Sequence, residues 1–216
     1  MAFNIEKYKE IEGFIRNNNS KAKIVSISKN QENEAVLEAI GAGVRIFGEN
    51  RVQEAVKKFD NLKEFHKDLE LHLTGPLQTN KVRAALRLFD VFHILDRKKL
   101  ADEFAKNETL IQNKKFFIQI NLGMEEAKSG ISPKESNDFI NYCKHKLKLK
   151  IIGLMCIPPQ NEEPSKYFKK LNSIAKENNL EELSMGMSGD YKKAIECGAT
   201  YIRVGTILFG NRKWLV

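Results

Sequence analysis

Three cysteines in 216 residues, Cys143, Cys156 and Cys197, are too few and too irregularly placed for a disulfide framework, and without C-x-x-C spacing they outline no zinc site. They read as ordinary reduced thiols. No run approaches the roughly 20 apolar residues of a membrane span. The opening Met-Ala-Phe-Asn-Ile-Glu lacks the charged-then-apolar order of a signal peptide, so a cytoplasmic protein is expected. Several catalytic signatures are also missing: there is no G-x-x-x-x-G-K-[ST], no G-x-S-x-G and no H-E-x-x-H. The histidines, His66, His72, His93 and His145, show no metal-ligand spacing, and His72 and His93 read as core residues or as supports for a neighbouring site. Linkers, low-complexity tracts and near-identical repeats are lacking too. With 42% hydrophobic content, residues 1–216 suit one domain with a full core.

The formal net charge of +8 raises nucleic-acid binding as a function class, because clustered Lys and Arg neutralise backbone phosphates. Here the charge is scattered. Pairs such as Lys57-Lys58, Lys98-Lys99, Lys169-Lys170 and Lys192-Lys193 lie on amphipathic stretches interspersed with Glu and Asp, and none adjoins a stacking aromatic motif. A lysine-rich solvated surface accounts for them, and no nucleic-acid partner is expected.

What the chain does have is alternation. Helical spacing of Ile5, Tyr8, Ile11, Phe14 and Ile15 predicts a helix over 4–17, followed by a strand at 23–28. A helix through Ala35, Leu37 and Ile40 leads to Gly41, a second strand covers 44–47, and a long helix starts near Val52. Further strands are predicted at 71–74, 91–95, 116–121 and 151–155, and the last two begin at Leu183 and Tyr201. Eight short β-rich runs separated by helical stretches argue for parallel βαβ units. The predicted fold class is therefore α/β, a single-domain (β/α)8 TIM-type barrel. Such barrels typically take roughly 250 residues, so 216 implies short loops. An open doubly wound sheet is the alternative, disfavoured because no G-x-G-x-x-G follows the first strand.

The last two strands each close in a small-residue turn. In Met185-Gly186-Met187-Ser188-Gly189-Asp190, Ser188 can cap a following helix while the glycines admit close approach of a ligand; in Arg203-Val204-Gly205-Thr206, Gly205 and Thr206 offer two more donors. Two accounts fit this segment: a phosphate cradle, or a capped helix beside a salt-bridged strand arginine. Barrels place chemistry at the C-terminal strand ends, often with phosphate after strands seven and eight. The other ends are Ser28-Lys29-Asn30, Gly48-Glu49-Asn50, Thr74-Gly75-Pro76, Asp96, Asn121 and Met155-Cys156-Ile157-Pro158. Lys29 continues the inward line of its strand. Near Arg203 and partly desolvated, it would have a lowered pKa and a nucleophilic amine, although most lysines in so lysine-rich a chain are simply solvated. An amine opposite a phosphate cradle suits a ligand with both an aldehyde and a phosphate, which describes pyridoxal 5′-phosphate.

Segments spread over nearly the whole chain carry a resemblance. Val25-Ser26-Ile27-Ser28-Lys29, Phe47-Gly48-Glu49-Asn50-Arg51-Val52-Gln53-Glu54, His72-Leu73-Thr74-Gly75-Pro76-Leu77-Gln78-Thr79-Asn80-Lys81, Lys128-Ser129-Gly130, Gly153-Leu154-Met155, Leu183-Ser184-Met185-Gly186-Met187-Ser188 and Arg203-Val204-Gly205-Thr206-Ile207-Leu208-Phe209-Gly210 resemble the pyridoxal 5′-phosphate homeostasis protein family of the YggS/PROSC type. The resemblance implies a barrel like the N-terminal domain of alanine racemase, with Lys29 as the Schiff-base lysine. It also implies phosphate contacts from Ser188, Gly205 and Thr206, Arg203 facing the pyridine nitrogen, Asn50 near the ring, and Lys128 as a secondary lysine near the mouth. Where the family often continues past the lysine with Thr-Lys-Pro, this chain has Asn30-Gln31-Glu32, a departure in the loop beside the cofactor.

Chemistry then separates a carrier from an enzyme. Pyridoxal phosphate is a strong electron sink when its ring nitrogen is protonated, normally beside a carboxylate, and an arginine cannot supply that partner. Alanine racemase tolerates a similar arginine because a tyrosine from a second domain of the partner subunit complements its lysine. Here Tyr8, Tyr142, Tyr167 and Tyr191 fall on helical stretches and Tyr201 at the wrong end of its strand, and no second domain is expected. The sequence thus predicts a monomeric, non-catalytic protein without a metal that buffers or delivers pyridoxal 5′-phosphate, its recipients being apo pyridoxal-phosphate enzymes. A pyridoxal-phosphate amino-acid racemase is the alternative, and a phosphosugar-binding barrel with Lys29 engaging its substrate is a third reading.

Overall fold

A computed structural model describes residues 2–210; Met1 and residues 211–216, the two ends of the expected domain, lie outside the described residues. Eight parallel strands follow one another around a closed barrel, and the last pairs with the first. They are β1 (Lys23–Ile27), β2 (Ile46–Glu49), β3 (Glu70–Leu73), β4 (Val91–Leu95), β5 (Lys115–Gln119), β6 (Ile151–Met155), β7 (Glu182–Ser184) and β8 (Tyr201–Val204). The helices are α1 (Ile5–Asn17), ahead of the first strand, α2 (Asn33–Gly41), α3 (Val52–Phe65), α4 (Val82–Leu88), α5 (Lys98–Ala105), α6 (Glu108–Ile111), α7 (Ser136–Asn141), α8 (Pro164–Glu177) and α9 (Tyr191–Glu196) between strands, and α10 (Thr206–Phe209) after the last. The (β/α)8 barrel predicted from the alternation is the fold observed.

Each helix turns one stripe onto the barrel. In α3 the buried residues are Val52, Ala55, Lys58 and Phe59, and in α8 Tyr167, Phe168, Leu171, Ile174 and Ala175, both at helical spacing. Phe47 of β2 meets Phe59 of α3 at 5.4 Å, and Phe92 of β4 stacks on Phe116 of β5 at 5.3 Å, so the outer core is aromatic where strands meet helices. Two residues placed on apolar stripes by spacing face water instead: Leu37 is 48% exposed and Ile5 43%.

The inside of the barrel is a separate and less apolar core. Val25, Ile27, Val91, Phe117, Met155 and Tyr201 form its hydrophobic part. Among them lie His72, His93, Ser184 and Arg203, all buried. Barrel interiors are usually filled by layers of branched aliphatic side chains. This one carries a polar column from end to end.

Candidate functional site

At the C-terminal ends of the strands lies a cavity of about 250 Å³ whose lining includes Lys29, Asn50, Ser188, Arg203, Gly205 and Thr206. The six residues expected to hold the ligand therefore reach one cavity. Ile27, Gln31, Thr74, Ile157, Met187, Gly189 and Gly210 complete the lining. Of these, Gln31, Met187 and Gly210 were not singled out by spacing or by chemistry, since none carries an ionisable group or a hydroxyl that would mark it.

Lys29 follows β1 on a turn closed by the Gln31 amide donating to the Ser28 carbonyl, 3.1 Å. Asn30 occupies the left-handed region, φ 58°, which Asn tolerates better than most residues. The turn is held from behind by α3. The Lys58 ammonium donates to the Ser28 carbonyl (2.6 Å), to Glu49 Oε1 (3.0 Å) and to Glu54 Oε1 (2.6 Å), using all three of its hydrogens. The Asn30 amide donates to that same Glu54 oxygen, and Ser28 Oγ donates to Glu49 Oε1 at 2.7 Å. Both neighbours of Lys29 are thus tied to one ion cluster. Burial pushes the Glu49 carboxyl up, opposed by the charge of Lys58. Nothing in the sequence marked Lys58, one more lysine on an amphipathic helix.

Across the cavity, the turn after β7 opens at Gly186, φ 90°, where an added Cβ would lie 2.4 Å from that of Ala194. The Gly186 carbonyl accepts from the Arg203 amide, 2.9 Å, which sets the turn against β8. Ser188 does not cap α9. Asp190 holds that position, and its carboxylate accepts from the Met187 amide, 2.6 Å, closing the turn and leaving Ser188 at its tip. Among the described residues, the backbone N–H groups of Ser188, Gly189, Gly205 and Thr206 and the hydroxyls of Ser188 and Thr206 have no hydrogen-bond partner within the protein. A set of donors open to the cavity along one wall suits a phosphate or another oxyanion. Asn50 accepts from Thr74 Oγ1 at 2.9 Å, which turns its amide donors elsewhere.

Arg203, only 5% exposed, forms the floor. It donates through Nη1 to Ser184 Oγ (2.7 Å) and through Nη2 to the Cys156 carbonyl (3.0 Å). The salt-bridged arginine considered from the sequence is not what forms: among the described residues no carboxylate pairs with it. Burial pulls its pKa below the ordinary value, yet a guanidinium stays charged there. Burial also pushes the Cys156 thiol up to about 12, so no thiolate balances the charge.

Lys128 lies outside this cavity, its ammonium 2.6 Å from Glu125 Oε2 and 3.3 Å from the Pro158 carbonyl. Asp96 pairs with Arg97, and the Asn121 amide binds the Glu125 carbonyl at 2.8 Å, so neither strand end contributes to the lining. Tyr201 sits inside the barrel at the far end from the cavity, 5.6 Å from the His72 ring and 5.5 Å from the Phe117 ring. The tyrosines at 8, 167 and 191 are on helices α1, α8 and α9, and Tyr142 opens a π-helical turn after α7. Among the described residues no His, Cys, Asp or Glu cluster could hold a metal, and no helix is long and apolar enough to cross a membrane.

Residues 8–213 match the family described as alanine racemase, N-terminal domain. A pyridoxal phosphate homeostasis protein of Aquifex aeolicus is 42% identical over 205 residues, covering 89% of this chain and 88% of the relative. The protein of the same description from Haemophilus influenzae is 37% identical over 212 residues, 92% of this chain and 88% of its own. Among solved structures, PipY of Synechococcus elongatus PCC7942 with PLP bound superposes with a TM-score of 0.84 at 33% identity, covering 95% of this chain and 99% of PipY.

Proposed function

The chain belongs to the alanine racemase N-terminal domain family and, within it, to the pyridoxal phosphate homeostasis proteins, and from that premise we propose that it binds pyridoxal 5′-phosphate and buffers or delivers it in the cytoplasm without robust turnover. One observation carries the reading: an amine and a wall of donors without partners in the protein line a single cavity, over a buried guanidinium.

The residues fit the cofactor group by group. Lys29 would supply the amine toward the aldehyde. Ser188, Gly205 and Thr206 would hold the phosphate through hydroxyl and backbone donors. Asn50 and Arg203 line the same cavity; Asn50 would lie beside the ring and Arg203 would face its nitrogen as a donor. When bound, the cofactor supplies an electron sink whose strength depends on that nitrogen being protonated. Arg203 offers only N–H groups and has no proton to give up, so the nitrogen stays an acceptor and carbanion chemistry is discouraged. Among the described residues no tyrosine lines the cavity as an acid/base partner for Lys29.

The reading takes residues 1–216 as one cofactor-binding unit acting as a monomer, with apo pyridoxal-phosphate enzymes as recipients. Unpaired cysteines at 143, 156 and 197 suit a reducing compartment. The test is to load the purified protein, incubate it with single L-amino acids and assay the D-enantiomer. Stoichiometric or no conversion supports the carrier. Sustained turnover would make it a racemase instead.

A further inference from the structure

The buried charge of Arg203 is connected to the opposite end of the barrel. Ser184 Oγ, which accepts from Arg203, lies 2.8 Å from His93 Nδ1. His93 Nε2 lies 2.8 Å from His72 Nδ1, and His72 Nε2 lies 2.8 Å from Glu70 Oε1. Glu70 Oε2 in turn accepts from Lys115 at 3.1 Å, at the N-terminal rim where both side chains reach solvent. His72 and His93 are wholly buried, and His93 is clamped by Phe117, stacked at 4.4 Å.

The two ends of this column fix its direction. A guanidinium can only donate and an ionised carboxylate can only accept. Starting from Arg203, the Ser184 hydroxyl donates to His93 Nδ1, His93 Nε2–H donates to His72 Nδ1, and His72 Nε2–H donates to Glu70. The reverse order would bring an unprotonated His72 Nε2 against a carboxylate, or require Glu70 to carry a proton. Its hydrogen bond with His72 holds the Glu70 carboxyl down at about 2, so it carries none. Burial keeps both imidazoles below their ordinary pKa and therefore neutral, each with one N–H. Every dipole in the column then presents its negative end to Arg203 and its positive end to Glu70.

We propose that Ser184, His93, His72 and Glu70 are positioning residues for Arg203, an oriented hydrogen-bond relay that links the guanidinium to a carboxylate at the far rim and holds its remaining donors toward the cavity. This rests on the cofactor reading above, and it goes beyond that reading by assigning residues outside the cavity a part in the ring environment. The relay solves a physical problem that the site alone leaves open: a buried cation without an adjacent anion is costly, and an unbroken chain of mutually polarising hydrogen bonds offsets the cost without placing next to the ring a carboxylate, which would favour a protonated ring nitrogen.

Two measurements test it. In the ligand-free, 15N-labelled protein at neutral pH, long-range 1H–15N spectra read the tautomers directly: both His72 and His93 carry hydrogen on Nε2 and none on Nδ1. An Nδ1–H form, or a doubly protonated ring, overturns the relay. In the loaded protein, Ser184→Ala and Glu70→Leu shift the cofactor's absorption band and weaken binding of pyridoxal phosphate roughly tenfold, the size expected for one charge-assisted hydrogen bond, and Glu70→Gln, which keeps an acceptor, restores the band. A parent protein with the band and variants with the same band and affinity overturn the relay alone. A parent protein without the band overturns the cofactor reading and the relay's role with it. Should Glu70→Leu fail to fold, Ser184→Ala gives the same reading from the other end.

Discussion

The Lys58 ammonium lies 2.6 Å from the Ser28 carbonyl, so a helix behind the barrel wall grips the residue that precedes Lys29. Lys58 is 8% exposed and its partner Glu49 fully buried, which makes the contact an ion cluster in low dielectric. Removing one member of such a pair strands the other charge, at a cost of roughly 3–5 kcal/mol. Lys58→Met should therefore lower the urea midpoint strongly, and the double variant with Glu49→Gln should recover much of the loss. If the single variant were as stable as the parent, the cluster would hold nothing in place.

The phosphate cradle makes a prediction that separates the two halves of the ligand. Thr206→Val removes one hydroxyl donor, and affinity for pyridoxal 5′-phosphate should fall about tenfold or more, as for a lost hydrogen bond to a charged group. Affinity for pyridoxal, which has no phosphate, should not change. Equal losses for both ligands would mean that Thr206 acts on the fold of the turn.

Stability should decline on acidification in two windows. His72 and His93 are held neutral by burial, whereas in the unfolded chain they bind protons below about pH 6.5; the unfolded state is therefore favoured as pH falls from there. Glu70 is depressed to about 2, so its contribution is present above about pH 4.3, the unfolded carboxyl value, and fades as pH falls toward 2. His93→Asn should flatten the profile between pH 6.5 and 5 and leave the lower window in place. Urea unfolding at a series of pH values checks this, and a parallel profile would contradict it.

Among the described glycines the least room for a side chain is at Gly153 of β6, where an added Cβ would lie 1.9 Å from the Glu182 carbonyl oxygen. Backbone cannot swing aside as a flexible side chain can. Gly153→Ala should cost roughly 1–3 kcal/mol, the usual penalty of overpacking, which for a chain of this size lowers the melting temperature by several degrees. Gly189→Ala, with open space at its Cβ, is the matched control and should melt with the parent.

Elements with strong apolar runs were legible from the sequence to the residue: β4 and β6 begin and end where the runs do. The strand predicted at 44–47 is displaced to Ile46–Glu49, because pairing with Glu70–Leu73 carries it on through Gly48 and the buried Glu49, residues that no strand pattern favours. In the site, Lys29, Asn50, Ser188, Arg203, Gly205 and Thr206 were legible because each ends a strand or lies in the turn beyond one, and barrel topology brings strand ends together. The support behind them was not. Ser184 and His93 are 91 positions apart, His93 and His72 21, and Lys58 and Ser28 30, and only the closed barrel makes them neighbours. Two histidines in adjacent strands, with an arginine facing inward, were the available signal for a polar interior.

The central claim is that Lys29 is the residue that holds pyridoxal 5′-phosphate covalently. Borohydride reduction of the loaded protein, followed by proteolysis and mass spectrometry, tests it most directly. A stoichiometric phosphopyridoxyl adduct on the peptide carrying Lys29, lost in Lys29→Ala together with the absorption band, is the predicted result. An adduct on Lys128 or another lysine with Lys29 unmodified, or no adduct at all, would contradict it.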